Sequence, residues 1–397
     1  MSTGKCYLNA LGILCSAGDS KDAVVDMLAS RRSALTPSDA FSEGRVLPLG
    51  IYTGDLPSLA MCEKRWQSRN NQFALALLEQ ISHQVSDMIS RYGAGRVGVV
   101  IGTSTSGIAQ SEPAIKQWAT TGQVPSYYDY GLQEMGGTAQ FIARELKVHG
   151  PVYGISTACS SGAKALAAAR RLIRAGICDA VIAGGVDTLC RLTVNGFSSL
   201  EAVSDTPCNP FSQNRNGINI GEGGALFLVS GERSGIELAG VGEGSDAHHI
   251  SAPDPTGSGA MRCMSAAIKD AAVTPSEVGY VNLHGTGTEL NDQMESLAMY
   301  EVFGGKTLCS STKSFTGHTL GAAGAVEAGI CWLVLSEEGR GVLPVHLWDG
   351  VYDPALPRLN LVDENSVLND PLRYALSNSF AFGGNNISLL LGNSVDV

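Results

Sequence analysis

The sequence predicts an α/β protein of two similarly built halves, with helices on both faces of its sheets. Three observations carry that reading. Apolar runs of strand length alternate with helix-length segments along the chain. Several of those runs are continuously apolar rather than alternating, as strands are when helices cover both faces of a sheet. Two loops of small residues, one in each half, each follow a strand and open an Ala/Gly-rich helix.

Taken in order, the first helix is expected over 21–29 and a long one over 68–92, before the apolar strand RVGVVIG at 96–102. A short strand at 152–155 leads into the helix 160–175, followed by the strand AVIA at 180–183. The strands ALFLVS (225–230) and 235–241 flank the seam between the halves. Beyond it come a helix at 259–272, the strand GYVNL (279–283), a helix at 292–303 and a strand at 306–310. A helix at 322–336, strands at 341–345 and 374–377, and the apolar run NISLLL (386–391) complete the pattern. The chain has 397 residues, more than one ordinary core supports. The halves are therefore drawn as 1–233, with a cysteine loop, and 234–397, with a histidine loop.

Composition narrows the function. Hydrophobic residues make up 44% and charged residues 16%, a compact and well-buried balance. The formal charge of −11 argues against nucleic acid as a partner. No apolar run reaches the ~18 residues that span a bilayer. The start of the chain lacks a basic segment followed by a long apolar stretch, so a cytoplasmic location is expected. None of the ten cysteines forms a CxxC pair and the seven histidines show no metal spacing, so no metal site is expected. His248 and His249 are adjacent and read as loop residues.

The chemistry concentrates in a few loops. In TACSSGAKALAAARR, Cys159 stands among small residues where a strand becomes a helix. Unpaired N–H groups and the helix dipole favour negative charge there, and such positions lower a thiol pKa. Read alone, the stretch fits either a sulfur nucleophile on an elbow or a buried cysteine chosen for its size. Three other stretches bear on the choice: HGTGTELND with His284, STKSFTGHTLGAAG with Lys313 and His318, and SNSFAFGGNN with Phe380 and Phe382.

Together these motifs, in this order, resemble the signature set of β-ketoacyl-[acyl-carrier-protein] synthases, condensing enzymes of the thiolase-like fold. The resemblance runs the whole chain and includes NRNGINIGEGGALFLV. It implies two pseudo-symmetric halves in a layered αβαβα sandwich. It also implies a reaction in which Cys159 takes an acyl group from a carrier-protein thioester. A malonyl thioester then loses CO2, and the resulting carbanion attacks the acyl group. His284 and His318 match the two imidazoles that hold the thioester oxygen during decarboxylation. Backbone N–H groups at Cys159 and Phe382 match a second oxyanion hole, and the Phe382 ring matches the family's gating phenylalanine. Lys313 matches the family's lysine near the histidines, expected to orient His318 and supply positive charge, and Glu295 its acidic partner. Thr286 and Thr288 match the residues that bind the pantetheine arm. Gly383 and Gly384 give the last loop its freedom.

Some positions depart from the family's usual pattern. Glu289 replaces proline and Asn291 glycine after the HGTGT run. Asn385 stands where threonine is usual and Asn209 where arginine is frequent. No cofactor is implied, because substrates arrive on the phosphopantetheine arm of an acyl carrier protein. Lys64, Arg65 and Arg69 form a basic run that either docks an acidic carrier or is a solvated helix face. The family is dimeric, so a homodimer or a heterodimer with a chain-length-factor-like paralogue is expected, with 152–155 as the interface edge. A noncatalytic partner subunit would have replaced the cysteine, often by glutamine, and a thiol hydrolase usually needs one histidine. Fatty-acid, polyketide and aryl-polyene pathways all remain open at this stage.

Overall fold

The computed structural model describes residues 4–366 and 372–394. The first half opens with β1 (Tyr7–Cys15), α1 (Lys21–Ser30) and a small antiparallel pair, β2 (Thr36–Ser38) and β3 (Leu47–Leu49). It continues with α2 (Arg69–Gln80), α3 (Ser82–Tyr92), β4 (Val97–Gly102), α4 (Ile108–Thr121), α5 (Gly137–Leu146) and β5 (Val152–Ile155). Then come α6 (Ser161–Arg174), β6 (Ala180–Asp187), α7 (Arg191–Ser199) and β7 (Gly223–Ser230). The second half has β8 (Ile236–Ser245), α8 (Ser258–Asp270), β9 (Val278–Asn282), α9 (Glu289–Phe303), β10 (Leu308–Ser310) and α10 (Lys313–Thr316). It closes with α11 (Ala323–Leu335), β11 (Asn360–Leu361), β12 (Tyr374–Ala381) and β13 (Asn385–Asn393).

The two halves repeat one topology. In the first, the strands lie side by side as β5-β4-β6-β7-β1; in the second, as β10-β9-β12-β13-β8, with β11 added at the edge. Directions match as well. β4 runs parallel to β5 and β6, and β9 runs parallel to β10 and β12, while the other neighbours within each five-stranded set are antiparallel; the added β11 runs parallel to β10. The halves are joined edge to edge through the pairing of Tyr7 with Glu237.

Between the two sheets lie α6 and α11, packed on each other. All thirteen residues of α11 are buried, as a helix surrounded by protein requires. The crossing is close because glycine faces alanine twice. A Cβ on Gly162 would lie 2.8 Å from that of Ala325, and one on Gly324 would lie 2.7 Å from that of Ala163. Helices α2 and α5 cover the outer face of the first sheet and α8 covers that of the second. This is the layered αβαβα arrangement, and the starts of both central helices fall at its centre.

Several elements differ from expectation. Residues 341–345 form no strand; Pro344 has no N–H for a ladder. The helix expected over 68–92 is two helices, broken at Ile81 with φ −118° and ψ 11°. Strand β1 was not anticipated, although its run YLNALGILC is almost wholly buried. Nor were α4, α5 and α7. The first carries Pro113 inside it, the second begins at glycine, and the third is rich in Ser, Thr and Asn.

Candidate active site

The cysteine loop follows β5 and turns sharply. Ala158 adopts φ +53°, a left-handed conformation costly for a residue with a Cβ. Hydroxyls hold the turn. Thr157 N–H donates to Ser161 Oγ at 2.8 Å, Ser161 Oγ donates to the Ala158 carbonyl at 2.6 Å, and Ser160 Oγ to the Thr157 carbonyl at 2.8 Å. Cys159 therefore sits just before the first turn of α6, only 5% exposed. Gly102 at the end of β4 makes room for this start. A Cβ there would lie 2.3 Å from the Ser161 carbonyl carbon.

The histidines come from the equivalent strand ends of the second half. His284 lies two residues after β9. His318 follows α10 and Gly317, and its backbone is pinned on both sides. Its N–H donates to the Asn219 carbonyl at 2.6 Å, and its carbonyl accepts from Gly221 N–H at 2.9 Å. His318 Nε2 stands 3.0 Å from Cys159 Sγ, and the two imidazole rings meet edge to face at 5.4 Å.

Lys313 is buried behind them. Its ammonium donates to the His284 carbonyl and to the Glu327 carboxylate, and lies 3.5 Å from His284 Nδ1. Because lysine only donates, Nδ1 is the accepting nitrogen and the His284 proton sits on Nε2. The acidic partner of Lys313 is thus Glu327 on α11, not Glu295. Glu295 instead receives the backbone N–H groups of His284 at 2.8 Å and Gly285 at 2.7 Å. It braces the His284 loop from α9. From the sequence, Glu295 alone was expected in this role and Glu327 was missed; the signal that could have found it is that Glu327 is the one charged residue in an otherwise apolar helix. A charge in such a place requires a partner.

Burial, with the Lys313 charge second, holds both histidines well below the usual imidazole range. They are neutral donors or acceptors, as an oxyanion site requires. Burial also pushes the Cys159 thiol up to about 12, opposed chiefly by Lys313. The helix-start argument foresaw a lowered value; desolvation outweighs it here. The resting pair is therefore a thiol beside a neutral imidazole. His318 Nδ1 is buried without a hydrogen-bond partner. No neighbour fixes which of its nitrogens carries the proton.

These groups open onto a cleft of about 380 Å³ lined by Cys159, His284, His318, Phe197, Phe380 and Phe382. The Phe380 ring meets His284 at 6.2 Å, and the Phe382 ring meets Phe197 at 5.6 Å. Gly383 and Gly384, at φ +81° and +73°, form the turn that carries Phe382. Thr286 and Thr288 line the same cleft, their hydroxyls 2.9 Å apart. The sulfur and nitrogen atoms of Cys159, His284 and His318 lie within 4.8 Å of one another, a spacing a metal ion could use. The ammonium beside His284 makes the place favourable to an anion instead.

The basic run is not brought to the cleft. Lys64 is exposed. Arg65 stacks 4.5 Å over Trp66 and reaches Glu134 at 3.3 Å. Arg69 forks onto the buried Glu222 carboxylate at 2.6 and 2.9 Å and bonds the Tyr52 carbonyl. Two of the three cations thus have partners within the fold.

A doubled five-stranded topology with Cys159 and His318 before the matching starts of two central helices, and His284 beside them after β9, defines a thiolase-like condensing acyltransferase. Residues 10–234 match the N-terminal domain of beta-ketoacyl synthases and residues 236–346 the C-terminal domain. The chain belongs to that family, the acyltransferases that carry out 3-oxoacyl-[acyl-carrier-protein] synthase condensation. It is similar to a ketosynthase of Xenorhabdus doucetiae solved in complex with its chain length factor. The two are 43% identical with a TM-score of 0.91, and 98% of each chain is covered. It is 34% identical to 3-oxoacyl-[acyl-carrier-protein] synthase 2 of Staphylococcus aureus, over 83% of this chain and 82% of the relative. Nodulation protein E of Rhizobium meliloti is 31% identical, with 97% and 98% covered. Among the described residues, no helix is long and apolar enough to cross a membrane.

Proposed function

We propose that Cys159 carries the growing acyl chain and that His284 and His318 drive its extension by a malonyl unit. The observation that carries this reading is the 3.0 Å approach of His318 Nε2 to Cys159 Sγ, with the neutral His284 beside it. In the first half-reaction, sulfur attacks the acyl thioester and displaces the pantetheine thiol. The cysteine proton passes to His318 Nε2 and on to the leaving thiolate. The backbone N–H groups of Cys159 and Phe382 hold the tetrahedral oxygen.

In the second half-reaction, the C–C bond to the malonyl carboxylate breaks and CO2 leaves. The electron pair becomes an enolate whose oxygen accepts from Nε2–H of both histidines; one such donor is worth ~100–1,000-fold in rate. The unpinned proton of His318 suits this exchange, since Nε2 must accept in one step and donate in the next. The enolate carbon then attacks the acyl-Cys159 carbonyl. Collapse expels the cysteine thiolate, which takes up one proton. Lys313, held by Glu327, sets the His284 tautomer. Thr286 and Thr288 bind the arm, and the Phe382 ring on its Gly383–Gly384 turn admits the acyl chain beside Phe197. The acyl carrier protein supplies both thioesters. Of the basic run, Lys64 is free to meet it, while Arg65 and Arg69 shape the surface around it.

The test is intact-mass analysis of wild type and Cys159→Ala with acyl- and malonyl-carrier thioesters. Acylation of the wild type alone, CO2 release and a β-ketoacyl product are expected. A wild type never acylated, even with a copurified partner, refutes the assignment.

A second reading makes the chain the catalytic subunit of a heterodimer with a chain-length-factor-like paralogue. The similarity to a ketosynthase solved with its chain length factor favours it. So does the surface. β5 lies at the outer edge of the sheet with Tyr153 exposed, and α4 and the segment after it expose Ile115, Trp118, Val124, Tyr127 and Tyr130. An unpaired edge and a large apolar surface call for a covering partner. Light scattering should give a dimer, and co-expression with a paralogue lacking the cysteine should give a mixed pair. A monomer at micromolar concentration refutes both dimers.

A further inference from the structure

Asp187 ends β6 and is 1% exposed. Its carboxylate accepts six donors. Three are hydroxyls: Thr103 Oγ1 at 2.5 Å, Ser104 Oγ at 2.5 Å and Thr105 Oγ1 at 2.7 Å. Three are backbone N–H groups: Ser104 at 2.9 Å, Thr105 at 3.0 Å and Gly321 at 2.6 Å. Only Gly321 belongs to the other half, and it lies three residues beyond His318.

Both turns gripped by this carboxylate are strained. Ser106 has φ +48°, and its N–H is held at 3.0 Å by the Thr103 hydroxyl that also donates to Asp187. Leu320, between His318 and Gly321, has φ +50°. Non-glycine residues hold such angles only where their surroundings over-determine them. The fit at Gly321 is tight. A Cβ there would lie 2.6 Å from Asp187 Oδ2 and 2.7 Å from the Ser104 nitrogen. The His318 N–H and carbonyl are themselves held by the Asn219 and Gly221 backbone. Beyond the His318 carbonyl, the bond from Gly321 to Asp187 keeps the Leu320 turn from relaxing.

We propose that Asp187 is a positioning residue for His318, acting through the Gly321 N–H to hold the imidazole against Cys159. The inference rests on the proposed condensation chemistry for its kinetic consequence only. Asp187→Asn is the decisive variant. The three hydroxyls rotate to accept from an amide, but the three backbone N–H groups cannot; with the amide nitrogen at the Oδ2 position, Gly321 N–H is left only its longer contact to Ser104 Oγ at 3.2 Å.

In a folded Asp187→Asn enzyme, malonyl-pantetheine decarboxylation should fall about 100-fold, the cost of a small misplacement of a reacting group. In a His318→Ala background the same substitution should cost nothing further, because the two act as one unit. Full additivity of the two losses, or an unchanged rate in folded Asp187→Asn, overturns the proposal. If the variant does not fold, Ser104→Ala removes one donor to the carboxylate together with the 3.2 Å contact from Gly321 N–H to Ser104 Oγ, and leaves Asp187 bonded to the rest. A smaller loss that also vanishes in the His318→Ala background supports the proposal, and any other pattern overturns it. An activity-independent readout separates this from the proposed function. The imidazole resonances of His318, assigned by their loss in His318→Ala, should shift in Asp187→Asn while those of His346 stay. Unmoved His318 resonances refute the clamp even if wild type shows no condensation, whereas an inactive wild type refutes only the condensation.

Discussion

The pairing of Lys313 with Glu327 gives the sharpest stability prediction. Glu327→Gln removes the only carboxylate, among the described residues, paired with a lysine whose side chain is 2% exposed. Breaking a buried pair from one side costs about 3–5 kcal/mol, because the remaining charge is left without compensation. A ceiling comes from chemistry. A lysine ammonium can escape by losing its proton, which at pH 7 costs about 5 kcal/mol. The carboxylate's other oxygen, Oε2, has no hydrogen-bond partner, so the new amide group finds no acceptor there to offset the loss. The expected penalty is therefore about 3–5 kcal/mol, read as a shift in the urea unfolding midpoint at fixed protein concentration. The double variant Lys313→Met, Glu327→Leu should recover most of it, since replacing both charges by apolar groups is often neutral. Decarboxylation should stay lost, because His284 no longer has a donor at Nδ1. A loss below about 1 kcal/mol in Glu327→Gln would refute the pairing. So would a double variant no more stable than the single one, or one in which Lys313→Met rescues Glu295→Gln instead.

Three further outcomes follow from the packing. Burial lowers His346 to about 4, so the imidazole is neutral in the fold, its Nδ1 accepting from Ser311 N–H at 3.1 Å. An ordinary histidine titrates near 6.5, so this stability is present above that pH and lost as pH falls toward 4. It amounts to about 3 kcal/mol, and His346→Gln should flatten that part of the pH profile of urea unfolding; an unchanged slope contradicts it. Gly102→Ala drives a Cβ into the backbone at the start of α6 and should cost about 3 kcal/mol together with acylation of Cys159. A stable, fully acylated Gly102→Ala would contradict that close approach. Phe197→Ala removes the ring facing Phe382, worth about 1 kcal/mol beyond its burial. The change should show as an altered acyl-length preference in a competition read by intact mass, and an identical preference would rule out a lining role.

Much of the site was legible because its chemistry sits in loops with unusual residue content. Cys159 among small residues, and His284 and His318 beside glycines, announce strand ends opening onto a cavity. The structure brings all three together from separate strand ends. Glu327 was less legible, because counting along the chain cannot say which carboxylate reaches a lysine through space. Arg69 misled for the opposite reason. A cation in an exposed-looking run was already claimed by Glu222, 153 residues away. Elements were missed where local preference and tertiary role diverge. Pro113 sits inside α4, and the strand-like GVLPV is held as irregular chain. Asp187 carried no signal at all, since its six partners come from loops that only the fold brings together.

The antiparallel pairing of β1 with β7 matches Tyr7 to Ser230, and α6 packs on a helix that begins at Ala323. Such long-range closures make folding slow and leave the chain exposed while it waits. During synthesis, β1 leaves the ribosome more than two hundred residues before its neighbour exists. The buried α11, apolar except for Glu327, emerges later still. A ribosome stalled between residues 160 and 283 would release a chain with the cysteine but neither histidine, and with an unfinished hydrophobic middle layer. Exposed apolar surface makes such truncated chains prone to aggregate, which is the cost of placing the reactive loops at the middle of a doubled fold.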